Sequence, residues 1–158
     1  MQSDIALRLE VEALYARYAA LLDEGPLSGW PSLFAEAGSY KATSRENIDR
    51  GWPLALMLCE SRAAMEDRVN AIENLSLTMP RRIRHMVSGL VVGPLTGGQV
   101  KAEANFAIFE TLEGQQTVCF AAGRYRDVLT RDEGRLVFQS RLAISDSALI
   151  RNSLVYPL

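Results

Sequence analysis

Between positions 3 and 24, Leu7, Val11, Leu14, Tyr18 and Leu21 recur at steps of three and four. That spacing puts them on one face of a helix. Ser3 stands where an N-cap belongs, and Gly25-Pro26 supplies the stop. Trp30, Leu33 and Phe34 predict a short second helix over 28–35 with these three side chains buried. Gly38 to Ser44 reads as a short strand centred on Tyr40. Arg45 to Pro53 is polar, contains Gly51 and Pro53, and reads as a loop. The apolar run Leu54 to Cys59 is a short strand or the lead-in to the next element. Ser61 then caps a third helix running to about Asn74, with Met65, Val69 and Ile72 on its apolar face.

The second half changes period from helical to alternating. Ile83, His85, Val87 and Val91 alternate along one strand. Val100, Ala102, Ala104, Phe106 and Ile108 alternate along the next, after a hairpin turn at Gly97-Gly98. Val118, Phe120 and Ala122 mark a third strand behind the turn Glu113-Gly114. Leu136, Phe138, Leu142 and Ile144 mark a fourth behind Asp132-Glu133-Gly134. Helices first and long antiparallel strands after make an α+β arrangement. Strands this long curl the sheet they build, and helix 3–24 is the element to fill its concave side. No internal repeat or linker interrupts the pattern, so residues 1–158 read as a single domain.

Composition narrows the chemistry. The chain has 17 basic and 19 acidic residues, net −2, which argues against a nucleic-acid module. The longest apolar run is six residues, far below the roughly 20 of a membrane helix. Met1-Gln2-Ser3-Asp4 has no signal-peptide pattern, so the expectation is a cytoplasmic protein whose two cysteines are reduced, buried thiols. With one histidine, His85, and two cysteines 60 positions apart, the chain lacks the ligands of a Rieske cluster, a facial iron triad or a structural zinc site. No metal site is expected. Gly93 to Gly98 has the glycines of a P-loop, but Gln99-Val100 replace the required Lys and Ser/Thr. No serine sits in a nucleophile elbow.

Two groups of residues carry the candidate chemistry. His85 is the candidate for acid–base work, as the chain's one histidine, and it shares a strand face with Ile83 and Val87. If Asp23 and Tyr40 converge on it, carboxylate, phenol and imidazole in an apolar pocket support dehydration or isomerisation. The alternative is a core or interface histidine held by hydrogen bonds. The second group is charged. Fifteen of the 17 basic residues are arginine, and Arg81, Arg82, Arg84 and His85 cluster at a strand entry. Arginine pairs with carboxylates through a planar fork and is enriched at interfaces. On the third helix Arg62 and Glu66 are four apart and can pair, while Asp67 and Arg68 either face solvent or reach another chain.

These residues in order resemble the small, or beta, subunit of aromatic-ring-hydroxylating dioxygenases. The resemblance runs through Leu22-Asp23, Trp30, Phe34 and Tyr40. It continues in Glu60-Ser61-Arg62-Ala63-Ala64-Met65-Glu66-Asp67-Arg68-Val69 and Arg82-Ile83-Arg84-His85-Met86-Val87-Ser88. It ends with Asn105-Phe106, Gly123-Arg124-Tyr125-Arg126-Asp127-Val128-Leu129, Arg141 and Asp146. Asn47, Gly51 and Pro157-Leu158 are similar to terephthalate-type or related aromatic-acid members. The resemblance implies a cone-shaped α+β fold of the scytalone-dehydratase or nuclear-transport-factor-two type, with the N-terminal helices in the concave face of a mostly antiparallel sheet. It implies a structural, non-catalytic chain with no cofactor of its own. Three such chains would form a homotrimer within a three-plus-three heterohexamer. The large, or alpha, subunit would hold the Rieske iron-sulfur cluster and the mononuclear iron. Arg62, Asp67, Arg68, Arg82, Arg84 and His85 are then the expected interface residues. The alternative within the same fold is a stand-alone dehydratase or isomerase using Asp23, Tyr40 and His85.

Overall fold

The computed structural model describes residues 2–75, 80–150 and 154–158. Helix α1, Gln2–Asp23, starts one residue before the expected cap Ser3, whose side chain lies outside the described part. It buries Val11, Leu14, Tyr15, Tyr18 and Leu22. Gly25 ends it at φ +76°, a left-handed position open to glycine, with its N–H bonded to the Leu21 carbonyl at 3.1 Å. The expected second helix is a 3-10 helix, Leu27–Leu33, and Trp30, Leu33 and Phe34 are all buried. Strand β1, Phe34–Ser44, follows directly.

The stretch expected to be a loop holds a short helix, α2, Arg45–Asp49. The Ser44 hydroxyl accepts from the Asn47 N–H at 3.2 Å, a cap outweighed in the sequence by Gly51 and Pro53. Strand β2 covers only Met57–Cys59. Met57 and Cys59 point inward, while Leu54, Leu56 and Leu58 are exposed. Helix α3, Arg62–Leu75, is capped by Ser61, whose hydroxyl accepts from the Ala64 N–H at 3.1 Å. It buries Met65, Val69 and Ile72, each worth about 1.5–3 kcal/mol if fully removed from water.

Strands β3 (Arg81–Thr96), β4 (Gln99–Leu112), β5 (Val118–Asp132) and β6 (Arg135–Ser145) form the expected antiparallel meander. The order is β2-β1-β6-β5-β4-β3, with β1 parallel to β6, so the sheet is mixed and open. Val100, Ala102, Ala104, Phe106 and Ile108 are all buried on its concave face, against which α1 packs.

Three of the sheet's five register shifts among the described residues bear on which residues reach that face. On β3 the register shifts between Ser88 and Val91, where Gly89 sits at φ +62°. Val91, which the alternation groups with Ile83, His85 and Val87, is 65% exposed. On β5 the register shifts opposite Ile108 and Phe109, so Phe120 and Ala121 are both buried instead of Phe120 and Ala122. On β6 one extra residue, Gln139, separates Phe138, paired with Leu129, from Ser140, paired with Val128. Arg141 and Ala143 therefore face the core with Phe138, and Leu142 turns outward. At Gly123 the strands approach so closely that a Cβ would lie 1.9 Å from the Ile144 carbonyl oxygen.

Candidate functional site

The centre of the cone is charged. Arg141 and Asp127 face each other on β6 and β5, both side chains fully buried. The Arg141 Nη2 donates to Asp127 Oδ2 at 2.7 Å, and its Nε donates to both carboxylate oxygens at 3.1 and 3.2 Å. Tyr15 on α1 donates its hydroxyl to the same carboxylate. Four rings surround the guanidinium: Tyr125 at 3.9 Å, Tyr18 at 4.1 Å, Phe138 at 4.2 Å and Tyr15 at 4.5 Å from their centroids. Their π faces take the cation where water cannot. Burial pushes the Asp127 carboxyl above its ordinary range, opposed by the Arg141 charge and the two sets of donors. Burial works against the Arg141 charge too, but the Asp127 carboxylate outweighs it and holds the guanidinium protonated. In the sequence, Asp127 and Arg141 stand out only through the family resemblance. The apolar alternation of β6 hid the inward turn of Arg141, and the bulge at Gln139 causes it.

Beside this pair sits a second polar contact. His85 Nδ1 lies 2.5 Å from Asp23 Oδ1, and the His85 backbone N–H donates to the same carboxylate at 2.9 and 3.1 Å. Both side chains are buried. The last residue of α1 thus ties the helix to β3. The other ring nitrogen, Nε2, is buried without a hydrogen-bond partner among the described residues. A groove of about 440 Å³ between α1 and β3 reaches His85 and is lined also by Arg8, Glu12, Tyr15, Val87 and Leu90.

Tyr40 does not join Asp23 and His85. Its hydroxyl accepts the Leu158 N–H at 2.8 Å, and its ring packs edge-on against Trp30 at 5.4 Å. Burial pushes its phenol well above the ordinary range. Of the three residues grouped for acid–base chemistry, the fold joins two and gives the third another partner.

The six expected interface residues divide in the same way. Arg62 turns inward from α3 instead of pairing with Glu66. It donates to the Phe34 carbonyl at 2.6 and 2.9 Å and to Asp132 at 3.1 Å. Arg68 is half-buried, near enough to pull against the rise that burial gives the Cys59 thiol. Asp67 and Arg82 are exposed. Arg84 is exposed and meets the equally exposed Glu24 at 3.0 Å. His85 is internal. The cysteines are both free, but only Cys59 is buried. Cys119 is exposed, on the strand bulge that upset the alternation there.

Among the described residues, no group of three or more His, Cys, Asp or Glu is placed to hold a metal ion. The histidine and two cysteines do not fit an iron-sulfur cluster, since His85 is tied to Asp23 and Cys59 and Cys119 differ in burial. No helix of the described part is long and apolar enough to cross a membrane.

The comparisons with known proteins agree with one another. Residues 3–142 match the model of the SnoaL-like domain. The anthranilate 1,2-dioxygenase small subunit of Burkholderia cepacia is 27% identical over 158 residues, covering 100% of this chain and 98% of that protein. The terephthalate 1,2-dioxygenase terminal oxygenase component subunit beta 2 of a Comamonas species is 26% identical over 95% of this chain and 97% of its own length. A solved Novosphingobium aromaticivorans chain, assigned as the beta subunit of an aromatic-ring-hydroxylating dioxygenase, superposes with a TM-score of 0.89. It is 31% identical and covers 100% of both chains. A scytalone dehydratase-like structure from the same organism, at 13% identity and a TM-score of 0.73, shares the fold alone. With its helices in the hollow of an open six-stranded sheet, the chain belongs to the SnoaL-like domain family, within the beta subunits of aromatic-ring-hydroxylating dioxygenases.

Proposed function

We propose that the chain is the structural, non-catalytic small subunit of an aromatic-ring-hydroxylating dioxygenase. In this reading it organises large subunits that carry the Rieske cluster and the mononuclear iron, as three small and three large chains. The observation that carries the reading is end-to-end similarity to dioxygenase small subunits, with neither chain leaving a domain unmatched. The interior supports it. The centre of the cone is filled by Arg141, Asp127 and their four rings, an arrangement that stabilises a scaffold.

Asp67, Arg82 and Arg84 reach the surface and would make the direct contacts. Arg62 and His85 would act from behind, holding α3 and β3 in place through Phe34, Asp132 and Asp23. Arg68, half-buried, would do some of each. Co-expression with a dioxygenase large subunit from the same source tests the assignment. Size-exclusion should give a co-eluting iron-containing complex, and Arg84→Ala should shift it toward free subunits. Removing one partner of a desolvated interface pair costs about 2–5 kcal/mol. An unchanged complex with full activity would remove Arg84 from the interface, and failure of the wild-type chains to co-elute would overturn the assignment.

The Asp23–His85 contact favours a second reading, a dehydratase or isomerase acting alone. The imidazole is oriented by a carboxylate and keeps one free nitrogen near a groove. The placement of Tyr40 against Leu158 weighs against it. Turnover by the purified chain, lost in His85→Gln, would establish it.

A further inference from the structure

The face of the sheet turned away from α1 is basic. Along β3 the side chains that alternate with buried His85 are Arg82, Arg84 and Met86, all exposed. The register carries that face onto β4, where Arg84 pairs with Phe109, Met86 with Ala107 and Val91 with Glu103. It continues on β5, where Arg124 pairs with Asn105 and Arg126 with Glu103. Residues directly opposite in a sheet point to the same side, so these side chains form one surface. Lys101, two residues from Glu103, adds a fifth exposed cation. Glu103 is the acid among them, 3.5 Å from Arg124 and 4.0 Å from Arg126. Arg82 has no ion-pair partner among the described residues. Within this basic frame Met86 is 56% and Val91 65% exposed.

The far side of the sheet has the opposite sign. Strands β2 and β3 are its two edges. Leu54, Leu56 and Leu58 are exposed before and on β2. The chain then presents Glu60, Glu66, Asp67 and Glu73, all exposed. None of the four has an ion-pair partner among the described residues. The nearby cations are committed elsewhere: Arg62 turns inward to Phe34 and Asp132, and Arg68 is half-buried beside Cys59. A groove of about 210 Å³ runs between the 3-10 helix and α3, lined by Pro31, Val69, Glu66 and Glu73. It offers an apolar floor to an arginine stem and two carboxylates to its guanidinium.

Each surface sets exposed apolar side chains in a charged frame, as an interface does. The two frames differ in sign, so each repels its own kind and attracts the other. A contact between unlike surfaces repeats head to tail and makes a ring when the rotation closes. We propose that the basic outer face of β3, β4 and β5 docks on the acidic β2–α3 side of a second copy of this chain, with Arg82 and Arg84 against Glu66 and Glu73. Three such contacts close the ring of small chains. The inference rests on the three-plus-three reading above and names the two surfaces that meet within it.

The experiment uses the full chain purified alone, with its mass read by sedimentation velocity. Wild type should sediment as a trimer. Glu66→Arg with Glu73→Arg sets cations against cations at the contact, and Arg82→Glu with Arg84→Glu sets carboxylates against carboxylates. Each pair should weaken association about tenfold or more, the scale of like charges brought together in an interface. The chain carrying all four reversals has opposite signs facing again and should recover the trimer. Should a reversed pair unfold, Arg82→Gln with Arg84→Gln removes the charge alone and should still weaken the trimer. The proposal is overturned by a wild-type chain that stays monomeric at its highest soluble concentration. It is overturned equally by a trimer unchanged in the pair variants, or by a fourfold variant that is folded by circular dichroism yet monomeric. A wild-type monomer that joins a large subunit, and loses it in both pair variants, would give these faces to the large subunit instead. Co-elution of the wild-type chains decides the small-subunit assignment separately, so failure of the ring contact and failure of the assignment read differently.

Discussion

Replacing Arg141 with methionine keeps most of the side chain's volume and removes its charge. Asp127 is then left fully buried with the Tyr15 hydroxyl as its remaining side-chain donor. The lost contacts are three charge-assisted hydrogen bonds of 2.7–3.2 Å and the attraction of four rings at 3.9–4.5 Å. Breaking one side of a buried pair costs about 3–5 kcal/mol, because the surviving charge has neither water nor a counter-charge. For a domain of this size that corresponds to a fall of about 6–20 °C in Tm. Removing both charges, in Asp127→Leu with Arg141→Met, also removes the desolvation cost and should recover most of the loss. The single variant should further depend on pH. Burial already raises the Asp127 carboxyl above its ordinary value of 3.8 with Arg141 present, and loss of Arg141 raises it more. A raised folded-state value means that the folded chain keeps a proton the unfolded chain releases. Arg141→Met should therefore be least harmful in acid and lose stability as pH rises through that value. Urea denaturation at pH 5 and pH 8, followed by circular dichroism, measures all three chains. A penalty below about 1 kcal/mol for Arg141→Met, or a double variant no more stable than the single one, refutes the reasoning.

Tyr15, Tyr18, Tyr40 and Tyr125 are buried, and burial raises all four phenols, Tyr18 to about 12. A raised value contributes stability that is intact below the unfolded value near 10 and lost as pH climbs through the folded one, up to roughly 2–3 kcal/mol for Tyr18. Absorbance at 295 nm should show these four ionising only as the fold opens, and independent titration near pH 10 would contradict their placement. Gly123→Ala should be severely destabilising or insoluble, because its Cβ would meet the Ile144 main-chain oxygen at 1.9 Å, with no flexible side chain to give way. A thermal melt within about 2 °C of wild type would contradict that register. Ser61→Ala should cost about 1 kcal/mol in urea denaturation through loss of the α3 cap.

The sequence by itself determined the elements whose signal is local. The apolar steps of α1, the Ser61 cap, the alternation of β4 and the glycine turns each depend on near neighbours, and all appear in the fold. It also determined the family, because similarity accumulates over the whole chain. Tertiary structure decided which residues meet. Gly89, the crowding around Phe120 and the extra Gln139 each shift a strand's phase by one residue, and a one-residue shift exchanges the faces of a sheet. Alternation read from sequence carries no record of such a bulge. That is why alternation groups Val91 with His85 and leaves Arg141 out of the centre. Nor could local pattern place Tyr40. Its hydroxyl partner, Leu158, is 118 positions away, and only the folded sheet and the returning strap bring the two together.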